Sequence, residues 1–188
     1  MKLFYILAGA NGSGKSTIAK VLLPSEGLVY VNPDDIATEL NHENPAAAKI
    51  ESGKEALRRI DSYLKSGVSF ALESTLSGSG HVKFVERAKT LGYTVVLAYI
   101  YVDSPDVCVR RIEARVRRGG HMVPVADVVR RYARSKRNFA NLYRGIVDCW
   151  LLYYNGGTDF SLVAYGEGDV NVISKERYAS FMEGVCQK

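Results

Sequence analysis

The sequence has little that would mark a secreted, membrane-spanning or zinc-dependent protein. Its 188 residues include only three cysteines, Cys108, Cys149 and Cys186, widely spaced and without a C-x-x-C pair. An odd count at such spacings excludes a disulfide framework and fits reduced thiols in a cytoplasmic protein. The three histidines, His42, His81 and His121, lie far apart, and neither H-E-x-x-H nor a Cys/His cluster occurs, so no zinc site is expected. The longest apolar run, Val95 to Val102, has eight residues, whereas a bilayer span needs about twenty. The apolar start runs straight into glycines and does not read as a signal peptide. Composition is near the globular average, with 47% hydrophobic and 24% charged residues, which excludes a disordered, collagen-like or coiled-coil chain. The length fits one domain over residues 1–188.

Charge is uneven. The net charge is +5, yet residues 108–137 carry nine arginines and Lys136 against only Glu113 and Asp127. Ten against two is a local surplus of eight, so the remaining residues sum to −3. A uniformly basic surface would suggest nucleic acid; a single dense patch on a slightly acidic chain argues against it.

Strand and helix patterns alternate. Apolar runs predict strands at Leu3–Ala8, Leu28–Val31, Val68–Leu72, Thr94–Val102 and Phe160–Ala164. Helical spacing predicts helices at Ser16–Leu23 (stopped by Pro24), Ile36–Leu40, Pro45–Leu64, Ser79–Leu91, Asp106–Arg118 and from Pro124 to about Leu142, with a last helix capped by Ser174. Such alternation predicts an α/β fold, a five-stranded parallel sheet between two helical layers. Tyr143, Trp150, Tyr153 and Tyr154 read as core.

Gly9-Ala10-Asn11-Gly12-Ser13-Gly14-Lys15-Ser16 matches G-x-x-x-x-G-K-[ST], after a predicted strand and at the start of a predicted helix. Glycines let the chain curl so that successive amides face phosphate oxygens. The helix N-terminus adds unpaired amides and its positive end. Lys15 is expected at the β- and γ-phosphates of ATP, Ser16 at Mg²⁺ and Thr17 near the α-phosphate.

In parallel sheets the reactive crevice lies beyond the C-terminal strand ends. Asp34, Asp35, Glu73 and Asp103 stand there. Transfer of a phosphoryl group to an alcohol requires a carboxylate to accept the hydroxyl proton. Asp34 or Asp35 suits that role, Asp34 preferred; the alternative is that both cap the following helix. Glu73 is expected to hold a substrate hydroxyl or a metal-bound water, the alternative being a helix or turn cap; Asp35 and Thr75 are expected to face the substrate, and Asp103 to cap a helix. The arginines, split by Gly119-Gly120-His121, predict a helix–loop–helix lid over about 108–137 that closes on phosphates. The spacing does not choose among them. Asn155-Gly156-Gly157 reads as a turn near the nucleotide base.

GANGSGKST, NPDDIA, ESTLSG and RVRRGGHMVP followed by RRYARSKRNF, in this order, resemble the zeta-toxin family of P-loop kinases, the short chromosomal members most of all. The resemblance implies a nucleotide-kinase-like fold and an ATP-dependent kinase whose acceptor is a sugar hydroxyl of UDP-N-acetylglucosamine. It makes Asp34 the base, places Glu73 on substrate, and matches Arg118 and Arg131 to two γ-phosphate arginines. It also implies an antitoxin partner. Three competing readings remain: a kinase for another small acceptor, a nucleotide-dependent binding module, and a nucleic-acid binder using the basic patch.

Overall fold

A computed structural model describes residues 1–157 and 159–186. Its strands are β1 (Lys2–Ala8), β2 (Val29–Val31), β3 (Phe70–Ser74), β4 (Tyr93–Tyr101), β5 (Cys149–Tyr154), β6 (Ser161–Glu167) and β7 (Asp169–Val172). The helices are α1 (Lys15–Glu26), α2 (Pro33–Leu40), α3 (Lys49–Ser66), α4 (Val82–Thr90), α5 (Pro105–Val116), α6 (Val125–Asn141) and α7 (Lys175–Cys186). The sheet order is β2-β3-β1-β4-β5-β6-β7. The first five strands are parallel, and β6 and β7 run antiparallel to their neighbours.

The expected five-stranded parallel sheet is thus corrected to a mixed sheet of seven. The fifth parallel strand is Cys149–Tyr154, whose continuous apolar run satisfies a buried strand and an aromatic core alike. The strand expected at Phe160–Ala164 is β6, which folds back on β5. β7 alternates polar and apolar residues, Asp169-Val170-Asn171-Val172, a short period-two signal absent from the expected strands, and all four are exposed; Gly168, at φ 87°, makes its tight turn. α1 also runs past Pro24 and stops at Gly27, whose left-handed backbone (φ 62°) ends it.

Alternate residues of the central strands feed two cores, as a sheet covered on both faces requires. Phe4, Ile6, Leu72, Val95 and Leu97 pack with α3, α4, α6 and α7. Leu7, Ala71, Ala98 and Ile100 pack under α1 through Ile18 and Leu23. A third cluster joins Ala10 of the first loop to Val102, Cys108, Ile112 and Val128. That cluster anchors α5 and α6, and the Tyr132 hydroxyl donates to Val102 O at 2.7 Å. Tyr99 and Ser135 hydroxyls meet at 2.9 Å. The helices of the expected lid pack on the body through these contacts, and their connection, residues 117–124, is outside the core apart from the buried Val123.

Lys136 is buried on α6, its ammonium 4.8 Å from the Phe181 ring centre, with no ion pair among the described residues. Burial pulls its pKa down. A lowered lysine pKa means that the cost of burying charge is present at neutral pH and fades as pH rises towards the unfolded value. Lys136→Met should therefore raise Tm by about 2–4 °C at pH 7, with a smaller gain at pH 10. Calorimetry at the two pH values checks this; an equal gain at both would remove the charge from the explanation.

Candidate active site

The loop between β1 and α1 is held in a shape few side chains would allow. A Cβ on Gly9 would lie 2.3 Å from Ile100 O, and one on Gly14, at φ 101°, would lie 2.2 Å from Asn155 Nδ2. Asn155 donates to Ser13 O at 2.7 Å, and Arg111 donates to Asn155 O at 2.8 Å. The turn after β5 is thus bolted to the loop, and within the loop the Ser13 amide donates to Ala10 O at 3.1 Å. Ser13 Oγ is buried without a partner among the described residues.

Lys15 opens α1 and is buried, donating to Ala10 O at 3.1 Å with its ammonium 3.8 Å from Glu73 Oε1. The hydroxyl of Ser16 donates to Glu73, at 2.9 Å from Oε2 and 3.2 Å from Oε1. The Tyr30 hydroxyl donates to Oε2 as well. Glu73, buried near the end of β3, therefore gathers one ammonium and two hydroxyls from two elements, α1 and β2. Burial first, and the charge of Glu73 second, push the Tyr30 pKa up, so Tyr30 is a fixed donor at any ordinary pH.

Asn32 caps α2, its side chain accepting from Asp34 N at 3.0 Å, and Pro33 takes the first helical position. Asp34 and Asp35 are thus exposed first-turn residues, and Asn32 does the capping in their place. Burial raises the Asp35 pKa; Asn32 opposes this, and Glu73 and Asp34 add to it.

Three cavities meet here. A cleft of about 440 Å³ is lined by the loop, Ser16, Thr17, Glu73, Arg111, Arg115, Asn155 and Phe160. A cavity of about 360 Å³ lies between α3, the end of β3 and α6, lined by Lys49, Glu73, Thr75, His81 and Arg131 among others. A groove of about 600 Å³ runs along α1 and α2 past Tyr30 and Asp35. Asp34 lines all three, and Lys15 lines the first two. The residues expected to face the substrate are divided: Thr75 lines the 360 Å³ cavity, Glu73 lines that cavity and the 440 Å³ cleft, and Asp35 lines the groove.

Arg131 donates to Asn11 Oδ1 at 3.2 Å and so reaches the loop. Arg118 is exposed in the turn after α5. The arginines on the 440 Å³ cleft are Arg111 and Arg115. Their i,i+4 spacing puts them on one face of α5, a signal present in the sequence. Arg115 also donates to His121 O at 2.8 Å, folding the connection back. Asp103, expected to cap a helix, instead accepts from the Tyr154 hydroxyl at 2.8 Å, and Ser104 occupies the cap position. His81 is held by Ser74, Oγ to Nε2 at 2.9 Å. Tyr30, Lys49 and His81 had no place in the sequence reading of the site.

The Zeta toxin family model matches residues 1–158. An uncharacterized protein of Haemophilus influenzae is 36% identical over 130 residues, which are 69% of this chain and 91% of that protein. Among solved structures, a chain of the AvrRxo1-ORF1:AvrRxo1-ORF2 complex with ATP superposes with a TM-score of 0.79 at 20% identity. That match covers all of this chain and 65% of the other, so this chain spans less than two thirds of it. A chain from the PezAT chromosomal toxin-antitoxin system of Streptococcus pneumoniae gives a TM-score of 0.71 at 18% identity, covering 98% of this chain and 84% of that one.

Proposed function

The chain belongs to the zeta toxin family and is a kinase, and from that premise we propose that it moves the γ-phosphate of ATP to a hydroxyl of a small molecule, with Asp34 as the base. The observation that carries this reading is the position of Asp34, where the phosphate cleft and the cavity between α3, β3 and α6 meet. A hydroxyl in that cavity would have a carboxylate on one side and the terminal phosphate on the other, the arrangement in-line transfer needs.

The triphosphate lies on residues 9–17, its β- and γ-oxygens on Lys15 and its outer oxygens near Arg111 and Arg115, whose charges oppose what builds up on transfer. Arg131 guards the acceptor side, and Arg118 lies on the segment free to close over both. Asn155 and Phe160 line the same cleft and would flank the nucleotide base. Mg²⁺ fits the donor set: the Ser16 hydroxyl beside the Glu73 carboxylate offers hard oxygen, and Mg²⁺ takes few protein ligands, drawing the rest from phosphates and water. When bound, it would offset charge on the β- and γ-phosphates. Glu73 holds the Ser16 proton and turns the hydroxyl lone pairs outward. Glu73 and Thr75 orient the acceptor, Asp34 takes its proton, and Asp35 contacts the part of the acceptor that reaches the groove.

The acceptor we favour is UDP-N-acetylglucosamine, on the family resemblance; another small alcohol is the second reading. The Streptococcus pneumoniae neighbour comes from a toxin-antitoxin system, which supports an antitoxin partner here as well. No helix among the described residues is long and apolar enough to cross a membrane. Incubation with Mg-ATP and a panel of alcohols including UDP-N-acetylglucosamine, read by mass spectrometry, should show one acceptor gaining a phosphate. Slow ATP hydrolysis indifferent to every alcohol would leave a nucleotide-dependent binding module instead.

A further inference from the structure

We propose that Tyr30 is a positioning residue for the divalent cation, acting through Glu73 on the Ser16 hydroxyl. The inference rests on reading residues 9–17 as an Mg-ATP site and not on the identity or existence of an acceptor.

The geometry points one way. Glu73 Oε2 accepts from both Ser16 and Tyr30, while Oε1 is the oxygen nearer Lys15, 3.8 Å away. As a cation ligand, Ser16 uses oxygen lone pairs and still needs an acceptor for its proton. Glu73 is that acceptor, and its angle decides where the lone pairs point. Lys15 is a poor anchor for the carboxylate, because its ammonium is wanted by phosphate. Tyr30 is the donor that phosphate does not claim. Its hydroxyl ends on Glu73, its ring packs beside the core under α1, and β2 and β3 hold the two residues in register, Tyr30 opposite Ala71. Without that hydroxyl, Glu73 is free to swing towards Lys15. It would then mis-aim Ser16.

Tyr30→Phe keeps the ring and removes only the donor. With the acceptor left out, Mn²⁺ titrated into the full chain bound to a non-hydrolysable ATP analogue and followed by electron paramagnetic resonance should bind about tenfold more weakly. Analogue affinity in EDTA and the melting temperature should match those of the wild type. Glu73→Gln should weaken Mn²⁺ on its own, and adding Tyr30→Phe to it should cost little more, because the two act in series. Mn²⁺ affinity in Tyr30→Phe within about twofold of wild type, or losses that add in the double variant, would overturn the assignment. Should Tyr30→Phe melt early, Glu73→Gln carries the test alone: unaltered Mn²⁺ affinity there breaks the relay. If the acceptor reading is wrong, no alcohol gains phosphate, yet the Mn²⁺ difference persists, so the two failures are distinguishable.

Discussion

Lys15→Met should slow phosphoryl transfer about a thousandfold. Lys15 is only 6% exposed, and its ammonium is bracketed by Ala10 O and Glu73. A charge so placed is preorganised, so it stabilises negative charge building on the transferred group without first shedding water. Methionine keeps the length and most of the volume, so the packing around α1 survives. It leaves Glu73 without its cation but still bonded to Ser16 and Tyr30, which limits the damage to the fold. ATP affinity should fall far less than the rate, because the loop amides and the α1 N-terminus remain. Transfer of labelled γ-phosphate measures the rate, and a fluorescent ATP analogue measures binding. A rate within about tenfold of wild type would place the main stabilising charge elsewhere, with Arg111 and Arg115 next in line.

The parts of this arrangement that could be read from the chain are those whose cause is local. The phosphate loop is legible because its glycines, lysine and serine must be contiguous and follow a buried strand. The place of Asp34 is legible because a short apolar strand ends just before it, at the crevice side of the sheet; that Asn32 caps the helix and so frees it is not. Tyr30 is not: its meaning comes from Glu73, 43 residues away, and only pairing of β2 with β3 joins them. The arginines are an intermediate case. The patch is plain in the composition, but which members face the cleft depends on the rotational phase of α5, and that phase is set by burial of Cys108 and Ile112. Asp103 failed for a similar reason, since Tyr154 arrives from β5, a strand whose apolar run carries no period of its own. β7 escapes notice because its alternation, Asp169-Val170-Asn171-Val172, is only four residues long and none of it is buried.

Asp34→Asn should cut transfer by about 10²–10⁴-fold and leave ATP and Mn²⁺ binding intact. The substitution is nearly isosteric and removes only the proton acceptor. It spares the start of α2, because Asn32 supplies the cap and bonds to the backbone of Asp34, not its side chain. Asp35→Asn provides the contrast. Asp35 faces the groove along α1 and α2, away from Lys15. Partial desolvation and its acidic neighbours outweigh the bond from Asn32 and raise its pKa, so the fold mildly disfavours its charge at neutral pH, a penalty the solvent around this exposed residue reduces and a neutral side chain removes. Asp35→Asn should then raise Tm slightly while changing the rate by less than about tenfold. The pH dependence separates the two residues independently. Were Asp35 the base, its raised pKa would make the rate fall on acidification already above the usual carboxylate range, and Asp35→Asn would abolish that limb. Full turnover in Asp34→Asn together with loss in Asp35→Asn would move the base one residue along and the acceptor to the other side of α2.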